Sequence, residues 1–316
     1  MSEPLRLGVV GVGYLGSIHA KIYAGMENID LIGVVDANSD TAARVAQKSN
    51  CAAFGNSNEL FDKVDAVSIA VPTSLHRAVS EPFLRRGIHV MLEKPIAPDV
   101  VQAEAIVQDA EDGNAILQIG HLERFNAGVM TLAEHIDDPR FIEVHRLGTF
   151  VERATDVDVV TDLMIHDIDI VLTLIDSELK SISAMGVPVV TKHVDIANAR
   201  LEFANGAIAN VTASRVSTRK FRRIRVFAKS QYVALNFQDQ QIEIVRPGES
   251  KTEGGFPEVV TQQVSVEPRQ PLDAELAHFV DTVRQRKTPL VGGREGLEAL
   301  RVAERVKRKI NESMAG

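Results

Sequence analysis

The glycine-rich segment near the N-terminus constrains the fold of this chain more than any other stretch. A short apolar run, Leu5–Val10, has the length and composition of a buried parallel strand. Gly11, Gly13 and Gly16 follow it at the spacing G-x-G-x-x-G. Between a strand and a helix, such glycines allow a tight turn, close approach of a pyrophosphate to the backbone, and close packing of the helix on the strand. The helix predicted over 15–26 then directs its N-terminal amides toward the phosphates.

The second predicted strand, over 30–35, strengthens this interpretation because it ends in an acid, Asp36. A carboxylate at this distance from the glycines accepts hydrogen bonds from the ribose hydroxyls of an adenine dinucleotide. Asp36 repels a 2′-phosphate, and no arginine follows in 37–39, so we expect NAD rather than NADP. Tyr14 and Leu15 complete the predicted cofactor loop. The alternative is an ordinary strand–turn–helix unit that binds no ligand.

Length and composition limit the class of protein. A chain of 316 residues can bury two hydrophobic cores. No apolar run approaches the roughly 18 residues that span a bilayer, and the N-terminus lacks a signal-peptide pattern. The single cysteine, Cys51, excludes an internal disulfide and a cysteine-rich zinc site. A net charge of −8 disfavours general affinity for nucleic acid or anionic membranes. We therefore expect a cytoplasmic protein that binds neither.

Up to residue 120 the chain alternates between predicted strands and predicted helices. Further strands are predicted over 65–71, 89–92 and 115–119, and helices over 41–49, 72–86 and 99–111. This alternation indicates βαβ units and a parallel sheet, whose ligands bind beyond the carboxyl ends of the strands. The sequence therefore predicts an α/β fold that begins with a Rossmann dinucleotide-binding domain over 1–120. Besides the glycine loop and Asp36, the predicted cofactor contacts are Pro72, Thr73, His76, Glu93 and Lys94.

Beyond residue 121 the pattern changes to one of many consecutive strands. Helices are predicted over 125–136, 159–175, 273–286 and 295–310, with a long strand over 141–151 and six more strands between 182 and 245. Asn205-Gly206 separates two of these strands as a two-residue hairpin turn. The sequence therefore predicts a second, α+β domain over 121–316, with a mostly antiparallel sheet.

The helix predicted over 159–175 carries a polar stripe on an otherwise apolar surface. The stripe consists of Asp162, His166, Asp169 and Thr173. A helix this apolar is buried, so the stripe must face a partner or a wet cavity. Asp162 and His166 stand at i and i+4, where the carboxylate can orient the imidazole and raise its basicity. The alternative is a buried Asp–His pair with a structural role. A metal site is disfavoured because no second His or Cys lies at ligand spacing.

Glu93-Lys94-Pro95 follows a predicted strand at the edge where the cofactor would bind. Burial beside a dinucleotide would lower the pKa of Lys94, which suits proton transfer, and Pro95 fixes the local backbone. The alternative is an ordinary surface lysine.

Four motifs together identify a family resemblance. The segments at 8–16, 71–76, 93–95 and 162–169 occur in this order and at these spacings, and they resemble the glucose–fructose oxidoreductase/inositol dehydrogenase (Gfo/Idh/MocA) family over the whole chain. The resemblance implies a Rossmann domain followed by a domain with an open-faced sheet, often used for oligomerisation. It also implies NAD(P)-dependent oxidation or reduction of a sugar or cyclitol. The family's catalytic lysine falls on Lys94, and its aspartate and histidine fall on Asp162 and His166. Met164 stands where the family commonly has glycine.

Two further segments, 120–126 and 219–227, resemble the branch of the family that oxidises the 3-hydroxyl of UDP-N-acetylglucosamine. That resemblance implies a UDP-sugar substrate, a coupled aminotransferase that makes a diamino sugar for lipid A, and a homo-oligomer, a dimer or a tetramer. Arg124 and Asn126 are predicted substrate contacts. Seven cations between Arg215 and Lys229 are predicted to hold a diphosphate or a neighbouring subunit, unless they form a solvated sheet face.

The sequence thus favours an NAD-dependent sugar dehydrogenase. His166 is the preferred general base, Lys94 polarises the same hydroxyl, and Asp162 orients the imidazole, although Lys94 and His166 could exchange roles. One alternative is a dehydrogenase of a free sugar or inositol. Another is a dinucleotide-sensing regulatory protein without catalysis, and a third is a purely structural partner protein.

Overall fold

The computed structural model describes residues 3–152, 157–267 and 269–315. The chain divides into two compact units. The first comprises Met1–Leu122 and Gln270–Leu300, and the second comprises Glu123–Arg269 and Arg301–Gly316. No helix in the described part of the chain is long and apolar enough to cross a membrane.

The first unit is a doubly wound parallel sheet. Its strands are β1 Leu5–Val10, β2 Ile29–Val35, β3 Ala52–Phe54, β4 Ala66–Ile69, β5 His89–Glu93 and β6 Leu117–Gly120, and its helices include α1 Tyr14–Gly25, α2 Ser39–Ser49, α3 His76–Leu84 and α4 Val100–Asp112. The strand order β3-β2-β1-β4-β5-β6 is that of a Rossmann fold, so the predicted fold of this part is confirmed. The three residues of β3 escaped prediction because so short a segment shows no periodicity.

A helix from the C-terminal part of the chain completes the core of the first unit. The apolar face of α7 (Pro271–Gln285) carries Leu276, Phe279 and Val283, which pack in one buried cluster with Leu7 and Leu31 of the parallel sheet. The sequence interpretation gave all of 121–316 to the second domain, and the structure differs in this respect. Helical periodicity identifies an apolar face but not the surface that it covers.

The second unit contains one eight-stranded sheet with helices on one face. Its elements are α5 Ala127–Glu134, β7 Phe141–Leu147, α6 Ile165–Leu174, β8 Leu179–Val187, β9 Ile196–Phe203, β10 Ile208–Ser214, β11 Phe221–Ala228, β12 Gln231–Asn236, β13 Gln241–Lys251, β14 Pro257–Ser265 and the end of α8 Gly293–Ala315. The strand order is β14-β13-β12-β11-β7-β10-β9-β8. Neighbouring strands are antiparallel except β7 and β10, which confirms a mostly antiparallel sheet.

Burial alternates along the central strands of this sheet. Ile142 and Val144 of β7 are buried, whereas Phe141, Glu143 and His145 stay partly exposed on the opposite face. One face is therefore packed against helices and the other is open. Strand β14 was not predicted because nearly all its residues are exposed, so its side chains show no alternation of buried and exposed positions, although its backbone pairs with β13.

The hairpin between β9 and β10 is present, but its turn differs from the predicted two-residue form. Gly206 has a φ of 82°, whereas Asn205 does not adopt a positive φ. The amide of Phe203 donates to the carbonyl of Ala207, so the turn spans residues 204–206. A two-residue type I′ turn needs a positive φ at both central residues, a condition that only the glycine meets here.

Candidate active site

The glycine loop has the geometry of a phosphate-binding turn. Gly11 adopts a φ of +83°, and a Cβ on Gly16 would overlap the carbonyl oxygen of Gly11. A Cβ on Gly13, in contrast, would meet no atom of the described chain within 4 Å. Helix α1 begins directly after Gly13, which has no side chain to cap the helix amides. The fold therefore requires glycine at 11 and 16, whereas at 13 the open space suits a ligand that approaches the backbone.

This contrast predicts opposite outcomes for two alanine substitutions. Gly16→Ala should destabilise the protein by about 1–3 kcal/mol or more, because the new methyl group overlaps the backbone. Gly13→Ala should change the unfolding free energy by less than about 1 kcal/mol, yet weaken NADH binding about tenfold or more. Urea denaturation and fluorescence titration with NADH measure the two effects. A Gly13→Ala variant that binds NADH normally would show that no ligand approaches this residue.

The carboxylate of Asp36 is fixed at the carboxyl end of β2, as the cofactor prediction requires. One oxygen accepts the amide of Val12 at 2.8 Å, and the other accepts the amide of Asn38 at 2.9 Å. Asp36 remains partly exposed and is joined directly to the glycine loop. This arrangement can receive a ribose hydroxyl.

Lys94 lies directly after β5, joined to Pro95 by a cis peptide bond. Its side chain is partly exposed, and its backbone amide donates to the Glu93 carboxylate at 3.3 Å. Pro72 precedes a single 3₁₀ turn, Thr73–Leu75, that leads into α3. Pro72 and Thr73 therefore follow a neighbouring strand of the same sheet, at the edge where ligands bind.

His76 has a structural role that the sequence did not reveal. The ring is buried, with Nε2 lying 3.1 Å from the carbonyl of Val71 and Nδ1 lying 3.0 Å from the carbonyl of Pro95. Burial lowers the pKa of His76, although hydrogen bonds to these carbonyls oppose the effect. The residue predicted as a cofactor contact therefore ties the chain after β4 to the Lys94–Pro95 segment.

In the second unit, the predicted helix over 159–175 has two parts. A π-helical turn, Val160–Met164, carries Asp162 and leads directly into α6, which carries His166. Both side chains are partly exposed, whereas Ile165 and Ile168 are buried. Short π-helical turns within α-helices are rare and occur frequently at functional sites. Hydrophobic periodicity gave no sign of this one.

The rest of the polar stripe supports the structure of the second unit. Arg124 is buried, its guanidinium donates to the hydroxyl of Thr173, and it lies 3.6 Å from a carboxylate oxygen of Asp169. Asn126 caps α5, its side chain accepting the amide of Gly128 at 2.9 Å. These contacts give both predicted substrate-binding residues local structural roles, and their contact with substrate stays a prediction.

Charged groups anchor the start of the helical segment that carries Asp162 and His166. The Asp158 side chain accepts the amide of Thr161 at 2.9 Å and forms an ion pair with Lys307 at 3.0 Å. Arg215 donates to the carbonyl of Val157 and forms a buried ion pair with Asp195 at 2.8 Å. These contacts fix the position from which Asp162 and His166 extend.

The carboxylate of Asp195 has strong partners. Burial acts to raise its pKa, but three backbone amides over 189–191 and the Arg215 guanidinium outweigh burial, so the pKa lies below its usual range. The Arg215 guanidinium therefore forms its ion pair with Asp195 inside the second unit.

Four of the seven cations that were predicted to hold a diphosphate or a neighbouring subunit form ion pairs within the second unit, and the prediction stays a prediction. Besides Arg215, three arginines of β11 form ion pairs: Arg222 with Glu123 at 2.7 Å, Arg223 with Glu243 at 3.6 Å, and Arg225 with Glu143. Sheet register places Glu143 opposite Arg225, whereas Glu123 lies in the 3₁₀ turn before α5 and Glu243 lies on β13, two strands away from β11. Arg219, Lys220 and Lys229 are exposed.

The comparisons with known proteins establish the class of this chain. The family model for oxidoreductases with an NAD-binding Rossmann fold (GFO_IDH_MocA) matches residues 5–121, and the model of the GFO/IDH/MocA C-terminal domain matches residues 128–233. The chain therefore belongs to the Gfo/Idh/MocA family of NAD-binding oxidoreductases. The predicted family and the predicted NAD-binding fold are both confirmed.

Individual proteins of the family can be compared with this chain. The UDP-N-acetylglucosamine 3-dehydrogenase of Acidithiobacillus ferrooxidans is 37% identical over 304 residues, covering 96% of this chain and 96% of the relative. Its solved structure resembles this one with a TM-score of 0.91 at 36% identity, covering 98% of each chain. An inositol 2-dehydrogenase of Rhizobium meliloti is 28% identical over 327 residues, covering 98% of this chain and 97% of the relative.

Proposed function

We propose that the chain is an NAD-dependent dehydrogenase of a sugar ring hydroxyl, and that its substrate is UDP-N-acetylglucosamine, oxidised at the 3-hydroxyl. The observation that carries the proposal is the similarity to an enzyme of that name over nearly the whole length of both chains. The alternative substrate class, a free sugar or inositol, is supported by the more distant inositol dehydrogenases.

The residues of the first unit fit the cofactor that the family implies. The glycine loop and the first amides of α1 would hold the pyrophosphate, and Asp36 would hold the ribose hydroxyls. Bound NAD supplies the acceptor for the hydride that leaves the substrate carbon. Lys94 follows a strand at the edge of the same sheet.

The proposed proton transfer uses three side chains. His166 removes the proton of the substrate hydroxyl, and the Asp162 carboxylate orients the imidazole and stabilises its charged form. The Lys94 ammonium donates a hydrogen bond to the same oxygen and stabilises the negative charge that develops there. The hydroxyl thus loses its proton to the protein as its carbon becomes a ketone.

A non-catalytic role as a dinucleotide sensor agrees less well with these residues. A sensor needs the glycine loop and Asp36, but it has no use for a lysine, an aspartate and a histidine that transfer a proton. Lys94, Asp162 and His166 are all present at the positions where the family resemblance places its catalytic residues.

Further parts of the proposal concern the setting of the reaction. A 3-keto sugar nucleotide is a substrate for transamination, so we include a coupled aminotransferase, leading to a diamino sugar for lipid A. NAD and UDP-sugars are intracellular metabolites, which supports a cytoplasmic location. Homo-oligomer formation, as a dimer or tetramer, is supported by the exposed apolar side chains of Met185 and Val187 on the edge strand β8.

The substrate proposal predicts strong discrimination in an assay of NADH formation. UDP-N-acetylglucosamine should be oxidised with a kcat/KM at least about 100-fold above that of N-acetylglucosamine or myo-inositol. Two charged hydrogen bonds to a diphosphate, at roughly 1.5–3 kcal/mol each, would supply this difference. Product analysis should place the ketone at carbon 3. Equal oxidation of the free sugar would refute the UDP requirement, and preference for inositol would favour the alternative.

A further inference from the structure

A buried polar cluster lies beside Lys94 in the first unit. We call it the His19 cluster, and it comprises His19 of α1, Ser68 of β4 and Glu93 of β5. The imidazole Nδ1 lies 2.7 Å from the Ser68 hydroxyl, and Nε2 lies 3.2 Å from a carboxylate oxygen of Glu93. His19 and Ser68 are fully buried. The other carboxylate oxygen of Glu93 accepts the backbone amide of Lys94. A continuous chain of polar contacts therefore leads from the sheet interior to Lys94.

The strand register explains how these groups meet. Ser68 pairs with Met91 of the parallel strand β5, and Glu93 lies two residues beyond Met91, so all three side chains share one face of the sheet. Gly120 of β6 pairs with Glu93, and a Cβ there would lie 2.9 Å from a carboxylate oxygen. The absence of a side chain at 120 thus leaves the space that the Glu93 carboxylate occupies.

The His19 cluster is not what an apolar core requires. Ser68 stands between the buried apolar residues Val67 and Ile69, and His19 precedes Ala20 on the inward side of α1. Burying an imidazole and a hydroxyl costs free energy, which their mutual hydrogen bond only offsets. An apolar pair would stabilise the helix–sheet contact at least as well. Such local exceptions in an otherwise consistent core are expected at functional sites.

The Ser68 hydroxyl lets the cluster accommodate either protonation state of the imidazole. A neutral ring can accept at Nδ1 from Ser68 while its protonated Nε2 lies 3.2 Å from the Glu93 carboxylate. A charged ring donates from both nitrogens, and the Ser68 oxygen then accepts. Tyr23 of α1 lies beside Ser68, and Glu275 of α7 lies near Tyr23, whose pKa is raised by burial. The imidazole therefore keeps its hydrogen bond to Ser68 and its close contact with Glu93 in both states.

We propose that His19 and Ser68 are positioning residues for Lys94, because they hold the carboxylate that accepts the Lys94 amide. This inference rests on the proposed catalytic role of Lys94. His19 and Ser68 touch neither substrate nor cofactor in this proposal. They fix the backbone from which the Lys94 side chain extends. They also determine how strongly the Glu93 carboxylate stabilises the charge of the Lys94 ammonium.

Ser68→Ala is the main test, with Ser80→Ala as the matched control because Ser80 is a fully buried serine on α3 of the same unit. Ser68→Ala should lower kcat about tenfold, since small misplacements of a reacting group are costly, and leave NADH affinity unchanged. Without the Ser68 hydroxyl, the His19 imidazole neutralises the Glu93 carboxylate less well. The Glu93 charge then stabilises the Lys94 ammonium more strongly, so the limb of the kcat–pH profile that belongs to Lys94 should move to higher pH. Ser68→Thr, which keeps a hydroxyl, should restore most of the lost rate.

A second measurement does not depend on turnover. An amine-reactive reagent labels Lys94 while NADH is bound, and peptide mass spectrometry follows the labelling rate. This rate should differ from wild type in Ser68→Ala and His19→Gln. It should be unchanged in Ser80→Ala. Unchanged labelling together with a pH profile like that of Ser80→Ala would overturn the proposal. Absence of sugar-nucleotide oxidation by the wild type would refute the proposed function, while the labelling comparison would still decide the positioning role.

Discussion

Replacing either Lys94 or His166 by alanine should lower kcat by about two to four orders of magnitude, the range expected when acid–base catalysis is lost. NADH affinity should stay within about twofold of wild type, because neither side chain is proposed to hold the pyrophosphate or the ribose. Stopped-flow or steady-state assays with UDP-N-acetylglucosamine measure kcat, and fluorescence titration measures NADH binding.

Two substitutions in the same units serve as controls. Lys63→Ala removes an exposed lysine whose ammonium donates to the carbonyl of Glu59, and His135→Ala removes a histidine bonded to the carbonyl of Thr131. Both should retain near-normal turnover. Retention of turnover in Lys94→Ala and His166→Ala as well would eliminate the proposed proton transfer.

The pH dependence of kcat can assign the base between the two residues. If His166 is the base, the rate falls on acidification as the imidazole takes up a proton, and this limb of the profile disappears in His166→Ala. If Lys94 is the base, the acidic limb persists in the slow His166→Ala variant. The sequence left this assignment open, because it gives positions and not distances.

The features that the sequence predicted well are those that local patterns determine. The apolar run of β1, the glycine spacing and the acid after β2 together predicted a strand–turn–helix unit that the structure reproduces from Leu5–Val10 to Asp36. Alternation of strands and helices likewise predicted a parallel sheet. In each case, the residues that specify the element lie within the element or directly beside it.

The features that escaped prediction depend on partners far apart in the chain. The cations near β11 suggested a phosphate site, but the structure pairs Arg225 with Glu143 of the neighbouring strand β7 and Arg222 with Glu123 of a 3₁₀ turn. His76 and His19 are similar cases, since each has a specific partner that no spacing rule identifies. The π-helical turn at Val160–Met164 escaped prediction for a different reason, because the backbone geometry of that turn leaves no distinct pattern in the sequence.

One of these unpredicted features is an ion network that holds α6 to the sheet of the second unit. Arg146 of β7 bonds both carboxylate oxygens of Asp167 at 2.6 and 2.7 Å and donates to Glu123 at 3.1 Å. Arg222 also pairs with Glu123, and its guanidinium lies 4.1 Å from the ring centre of Phe237. Asp167 is buried and directly follows His166, so the network determines how α6 presents the proposed base.

The network sets a pH range for stability. Burial acts to raise the pKa of Glu123, but Arg146 and Arg222 outweigh burial and hold the pKa below its usual range. A carboxyl whose folded pKa is depressed stabilises the fold fully above its unfolded pKa of about 4.3, and the stabilisation is lost as the pH falls through the folded value. The contribution of Glu123 should therefore be intact at neutral pH and disappear in acid.

Arg146→Met should lower the free energy of unfolding at neutral pH by about 3–5 kcal/mol, because it leaves the buried Asp167 carboxylate without its partner. The double variant Arg146→Met/Asp167→Leu should recover most of this loss, since apolar side chains of similar volume replace a buried ion pair at little net cost. Arg294→Met is the control, because its ion pair with Glu111 is exposed and should contribute less than about 1 kcal/mol. Urea denaturation measures all three. The gap between wild type and Arg146→Met should narrow in acid, where Glu123 takes up a proton and its contribution is lost. A loss in Arg146→Met no larger than that in Arg294→Met would show that the network does not anchor α6.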